Sequence, residues 1–147
     1  MNIEFVEPNI PDLQYLWEHM RTRDKEEARL MYLTDSNYVD LLKDVNGCIA
    51  HLNGKPAAMF WAARFQSTAV LGFIATDAVN RIPKSFHSVA LGVVGAFKNE
   101  FFGMRLLIPL WDKYESNKRW VKTLGFTPTD YIMPFTGEPF RIWELTK

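Results

Sequence analysis

Apolar positions recur along this chain with two different periods, and the switches between them mark its elements. Ile3–Val6 predicts a short first strand closed by Glu7-Pro8. Pro11 suits the first turn of a helix, with Asn9 nearby as a cap. Leu13, Leu16, Trp17 and Met20 fall at helical spacing, so one face of Pro11–Met20 is expected to be buried. The charged run Arg21–Arg29 alternates in sign, which predicts a solvated helical face or a connector. Ser36 is placed to cap another short helix carrying Tyr38, Leu41, Leu42 and Val45, with Asn46-Gly47 ending it.

The period then shortens. Cys48–Leu52 and Lys55–Phe65 read as strands joined at Asn53-Gly54, a dipeptide suited to a tight hairpin because both turn positions need positive φ. Pro56 directly after the turn lacks an N–H and predicts that this position faces an edge or a loop. Ala69–Thr76 would add the next antiparallel strand. Pro83–Phe101 is the clearest helix, with Phe86, Val89, Ala90, Val93, Val94, Phe97 and Phe101 on one face. Gly92 and Gly95 weaken it by ~1 kcal/mol each relative to Ala, and are expected to let it lie close to a sheet. Met104–Leu110 follows as a buried strand. A short helix then ends at Gly125, where a left-handed residue suits a helix C-terminus, with Lys118, Arg119 and Lys122 toward its negative end. Asp130–Pro134 and Phe140–Leu145 predict a last hairpin around Thr136-Gly137. The order is strand, two helices, three antiparallel strands, helix, strand, helix, hairpin. That is an α/β (α+β) pattern, read as a single domain over 1–147.

Composition narrows the function. The 147 residues suit one domain, and 48% hydrophobic with 23% charged content reads as a globular chain. Zero formal net charge gives no global pull toward nucleic acid or anionic lipid, so neither is expected as a partner. No run approaches the ~20 apolar residues of a membrane span, and the N-terminus carries no basic, then apolar, secretory pattern. The single Cys48 fits a reducing compartment and leaves no cysteine-based zinc spacing. His19, His51 and His87 form no ligand motif, so no metal is expected. His51 or Asp77 could serve as a base if either faces a cleft, and Cys48 as a nucleophile, although packing roles are the commoner fate of such residues. Trp61, Phe65, Phe73, Trp111 and Trp143 are expected to supply core and rim packing.

The element order, together with Ser116–Phe126 ending in Leu-Gly-Phe, resembles the GNAT acyltransferases over nearly the whole chain. The resemblance implies a mixed, mostly antiparallel twisted sheet flanked by helices. It implies an acetyl-CoA or CoA site where two strands, here Ala69–Thr76 and Met104–Leu110, splay apart beside the N-terminus of the main helix. On that basis Phe73, Ile74 and Ala75 would line the acyl end, and Arg81, Lys84 and Ser85 would hold the phosphates through side chains and free N–H groups.

This sequence departs from the family pattern twice. The phosphate loop is normally Arg/Gln-x-x-Gly-x-Gly/Ala, yet no glycine stands between Gly72 and Gly92, and Pro83 removes an N–H donor. The late-helix Tyr that commonly protonates the leaving thiolate falls, counting back from Gly125, on Val121, and the early Asn falls on Tyr114. Asn117 stands where a small residue is usual. With Thr76-Asp77, the glycine-free loop, Phe86 and Lys122-Thr123-Leu124-Gly125-Phe126, the C-terminal half resembles small GNAT-like proteins of short-tailed bacteriophages. That resemblance implies a component of virion assembly or host interaction, in the host cytoplasm or the virion, with a degenerate acyl-CoA site and a phage or host protein as partner. Two alternatives stand beside it: an active N-acyltransferase acetylating an amine, and a non-catalytic ligand-binding module. A homodimer or partner contact through Tyr131–Trp143 is also expected, since the aromatics Tyr131, Phe135, Phe140 and Trp143 lie in an edge hairpin.

Overall fold

The computed structural model describes residues 2–43 and 45–146. Its elements are β1 (Ile3–Val6), α1 (Ile10–His19), α2 (Thr22–Leu30), a 3-10 turn (Tyr38–Leu42), β2 (Asn46–Leu52), β3 (Lys55–Phe65), β4 (Thr68–Ala75), a second 3-10 turn (Asp77–Arg81), α3 (Pro83–Glu100), β5 (Arg105–Trp111), α4 (Glu115–Thr123), β6 (Phe126–Phe135) and β7 (Glu138–Leu145). Seven strands make one sheet in the order β1-β2-β3-β4-β5-β7-β6. Among the described residues only β4 and β5 run parallel, and α3 is the crossover that such a step requires.

Alternation along the strands divides the core between the two faces of the sheet. On one face Phe60, Ala62, Ala69, Leu71, Leu106, Ile108 and Leu110 pack under Phe86, Ala90, Val93 and Phe97 of α3 and Val121 of α4. On the other, Ile49, Met59 and Ile74 pack against Leu13, Leu16, Trp17 and Ala28 of α1 and α2. Helix α1 starts as its sequence predicts: Asn9 Oδ1 accepts from the Asp12 N–H at 2.9 Å, with Pro11 in the first turn. The β2–β3 hairpin turns on Asn53 and Gly54 with φ of 51° and 83°, and β6–β7 turns on Thr136 and Gly137 with φ of 50° and 78°.

Several local expectations change. Asn46-Gly47 opens β2 instead of ending a helix. Ser36 caps nothing: the side-chain oxygen of Asn37 accepts from the Thr34 N–H, and the following turn has no side-chain cap. Pro56 lies in an interior strand, tolerated beside a register shift at Ala50/His51. Gly92 and Gly95 face open space, and a Cβ at either would touch nothing, so they do not bring α3 closer to the sheet. The close approach is at Gly72, where a Cβ would stand 2.5 Å from the Trp61 indole on the neighbouring strand. The last hairpin is also longer than the sequence suggests, because β6 begins at Phe126.

Gly72→Ala should therefore destabilise the fold by ~1–3 kcal/mol, the usual range for overpacking. Gly92→Ala should stabilise it by ~0.5–1 kcal/mol. Chemical denaturation of the two variants, with opposite shifts of the midpoint, checks both.

Candidate functional site

Strands β4 and β5 are joined at only three register positions, Thr68↔Arg105, Ala69↔Leu106 and Val70↔Leu107. Beyond them the strands part, while β4 continues to Ala75 and stays paired with β3 throughout. At ~3.3 Å per residue, about 17 Å of β4 borders an open wedge. The Thr76 N–H bonds to Ala57 O on the β3 side at 2.9 Å, so by alternation Ala75 and Phe73 turn their backbone groups toward the wedge.

The wedge is spanned by the segment expected to be a solvated charged face. That expectation is corrected by Arg21 and Asp24, which are 8% and 5% exposed. The Arg21 N–H donates to Ala75 O at 2.9 Å, and the Ala75 N–H donates to Asp24 Oδ2 at 3.0 Å. Arg21 grips the same carboxylate with Nε at 3.0 Å and Nη2 at 3.2 Å. Burial pushes the Asp24 carboxyl upward, against the pull of Arg21 and of the Ala75 N–H. From this anchor α2 reaches α4 and the Tyr114 that precedes it through three polar contacts. Arg23 Nη1 donates to Ser116 Oγ at 3.0 Å, Asn117 Nδ2 to Glu27 Oε1 at 3.1 Å, and Tyr114 Oη to Glu26 Oε2 at 2.8 Å. Asn117 is buried. Burial, reinforced by the nearby Asp24 charge, raises the Glu27 carboxyl to about 7 against the Asn117 hydrogen bond and the two arginines.

Between α3 and α4 the closure is aromatic. Trp120 stacks on Phe86 with ring centroids 5.6 Å apart at 12° and leans on Phe73 at 4.7 Å. Phe60 continues the stack from Phe86 at 5.8 Å. The space left is a cavity of about 220 Å³ walled by Arg21, Arg23, Phe73, Asn80, Ser116 and Trp120, among others. Typical ligand clefts run from roughly 300 to 1,000 Å³.

The sequence-derived candidates fall around this wedge unevenly. Phe73 lines the cavity, Ala75 is the backbone anchor just described, and Ile74 packs on the opposite face with α1. Arg81 and Lys84 are exposed and Ser85 half-buried at the start of α3, where Ile82 provides no side-chain cap. Val121 is fully buried. His51 stands away from the wedge, on β2, bonded to Asp12 at 2.7 Å. Asp77 accepts from Asn80, and burial raises the Cys48 thiol. Among the described residues no cluster of His, Cys, Asp and Glu could hold a metal, and no helix is long and apolar enough to cross a membrane. Sequence reading missed Arg21, Arg23, Asp24 and Glu27. Their one signal was the spacing of opposite charges, i, i+3 for Arg21 and Asp24 and i, i+4 for Arg23 and Glu27, which also fits an exposed helix.

No family model matches the sequence, and no curated protein matches it. Solved structures do. A Thermoplasma acidophilum PaiA N-acetyltransferase in complex with coenzyme A superposes with a TM-score of 0.74 at 16% identity, covering 100% of both chains. An acetyltransferase from Streptococcus agalactiae gives 0.75 at 18%, covering 99% of this chain and 98% of its own. The GNAT domain of S. lividans PAT gives 0.71 at 14%, covering 96% and 89%. The chain has the GNAT fold. At these identities the likeness concerns the fold alone. The GNAT element order and the parted β4 and β5 agree with the sequence reading.

Glu27 makes the stability of this GNAT fold pH-dependent. Its folded value of about 7 lies above the ordinary 4.5, so the folded state holds the proton more tightly. The contribution is full below pH ~4.5 and is lost as pH rises through ~7. Glu27→Gln, which keeps a partner for Asn117, should flatten that slope, by at most ~3 kcal/mol between the limits. Urea unfolding of both proteins from pH 5 to 8 measures it.

Proposed function

We propose that this GNAT-fold chain works as an interaction component, with its acyl-CoA cleft closed by its own side chains and without efficient acyl transfer. The carrying observation is the Phe86–Trp120 stack, which joins α3 to α4 where the resemblance would pass a pantetheine arm. The Ala75 backbone, which such an arm could have paired with, is already bonded to Arg21 and Asp24. The setting in a short-tailed phage particle or its host rests on the sequence resemblance of the C-terminal half. Calorimetry with acetyl-CoA and CoA tests the closure. No heat of binding is expected up to millimolar ligand, and micromolar binding with turnover of an amine would overturn the reading.

A second reading, N-acyl transfer to an amine, is favoured by Glu27, a carboxylate near neutral pKa beside the wedge and therefore suited to take a proton. Under it Trp120 swings aside, and Arg81, Lys84 and Ser85 take the phosphates at the α3 N-terminus. In that case reversing the charge of Arg81 and Lys84 together abolishes CoA binding with the melting temperature nearly unchanged.

The surface an interaction component offers is β6, an edge strand of the sheet. Tyr131 and Ile132 are 62% and 45% exposed there, followed by the exposed Met133. Phe140 and Trp143, by contrast, are core residues, and Phe135 packs on Tyr32 and Phe140. A homodimer or a protein partner is therefore proposed to meet the Tyr131–Met133 part of the hairpin. Replacing Tyr131 and Ile132 with Asp should abolish self-association in light scattering while leaving the melting temperature within a few degrees. A wild-type chain that is monomeric at high micromolar concentration removes the dimer.

A further inference from the structure

The cavity left in the closed wedge has a chemistry of its own. Its polar side consists of Arg21, Arg23, Asn80, Ser116 and Asn117, and its apolar side of Phe73, Val79, Pro83, Phe86 and Trp120. The two guanidinium groups are not equivalent. Arg21 is held bidentate by Asp24, so its charge is neutralised in place. Among the described residues no carboxylate forms an ion pair with Arg23. Arg23 donates through Nη1 to Ser116 Oγ, while its Nε–H is buried without an acceptor. A buried donor left unpaired costs on the order of 1–3 kcal/mol, so an arrangement that keeps one is waiting for an acceptor. Burial and the neighbouring Arg21 disfavour the Arg23 cation, against the more distant charges of Asp24 and Glu27.

We infer that this cavity binds a small organic monocarboxylate, with its carboxylate on Arg23 and Ser116 and its carbon body against Phe73, Phe86 and Trp120. A planar carboxylate suits the fork of a guanidinium, and the Ser116 hydroxyl, accepting from Arg23, keeps its own proton to donate. Among the described residues Arg23 has no direct ion-pair partner, and Asp24 and Glu27 act on it only from a distance. A monoanion therefore suits the site better than a dianion, which would bring a second negative charge toward those two carboxylates. The aromatic wall favours a ligand with an apolar end over a bare inorganic ion. The volume of about 220 Å³ admits a short acid whole, and is too small to hold a whole CoA thioester. The inference goes beyond the interaction role, since neither β6 nor acyl-CoA takes part in it.

The test is titration of the 15N-labelled chain with propionate, benzoate and inorganic phosphate at constant ionic strength, following the Trp120 indole N–H resonance, assigned through Trp120→Phe. The expected result is a saturable shift with either carboxylate and a weaker response to phosphate. Affinity should fall at least tenfold in Arg23→Gln and recover in part in Arg23→Lys. If Arg23→Gln does not fold, Ser116→Ala should still weaken binding severalfold. A shift that never saturates, equal binding of phosphate, or affinity untouched by both substitutions would overturn the site. Calorimetry with CoA is a separate measurement on the unmodified chain, so failure of one reading leaves the other readable.

Discussion

The parting of β4 from β5 leaves strand backbone without a strand partner in the middle of a sheet, and such groups must find other partners or water. In this molecule the end of β4 is completed by the Arg21 N–H on Ala75 O and by Asp24 on the Ala75 N–H. The Arg21–Asp24 ion pair is buried, and a pair in that position is sustained by geometry: two guanidinium bonds and one amide bond share one carboxylate. Because Arg21 is the residue before α2, the same contacts fix where that helix starts and which way it runs. Everything α2 then touches on α4 follows from that placement.

Two kinds of closure meet over the wedge. The α2–α4 side is polar, built from Arg23–Ser116, Glu27–Asn117 and Glu26–Tyr114. The α3–α4 side is aromatic, built from Phe86, Trp120 and Phe73. Polar bonds of this kind depend on protonation and ionic strength, whereas ring stacking depends chiefly on excluded water. Glu27 sits where the first kind is most sensitive, because burial raises its carboxyl and the helix carrying it also carries Asp24. The GNAT fold thus has its β4–β5 gap bordered by an ionic cluster on one side and an aromatic cluster on the other, and a fold of this kind does not by itself fix a function.

Most of the architecture was legible in the sequence because it is local. Asn9 and Pro11 start α1, Asn53-Gly54 and Thr136-Gly137 make their turns, and the seven apolar positions of Pro83–Phe101 mark a buried helix face. Each of these depends on neighbours within a few residues, so composition and spacing carry the information. That no glycine stands between Gly72 and Gly92 is likewise a fact of sequence alone.

The tertiary structure decided what the charged and aromatic residues do. Arg21–Arg29 looks the same in sequence whether it faces solvent or a parted sheet, and only the approach of Ala75 from 51 residues away makes Asp24 a buried acceptor. Trp120 and Phe86 are 34 positions apart and become one stack only when α3 and α4 share a face. The same holds in the last hairpin, where Phe140 and Trp143 turn inward and Tyr131 and Ile132 outward. Strand alternation fixes that two faces exist, but the partners across the sheet determine which of them is the core.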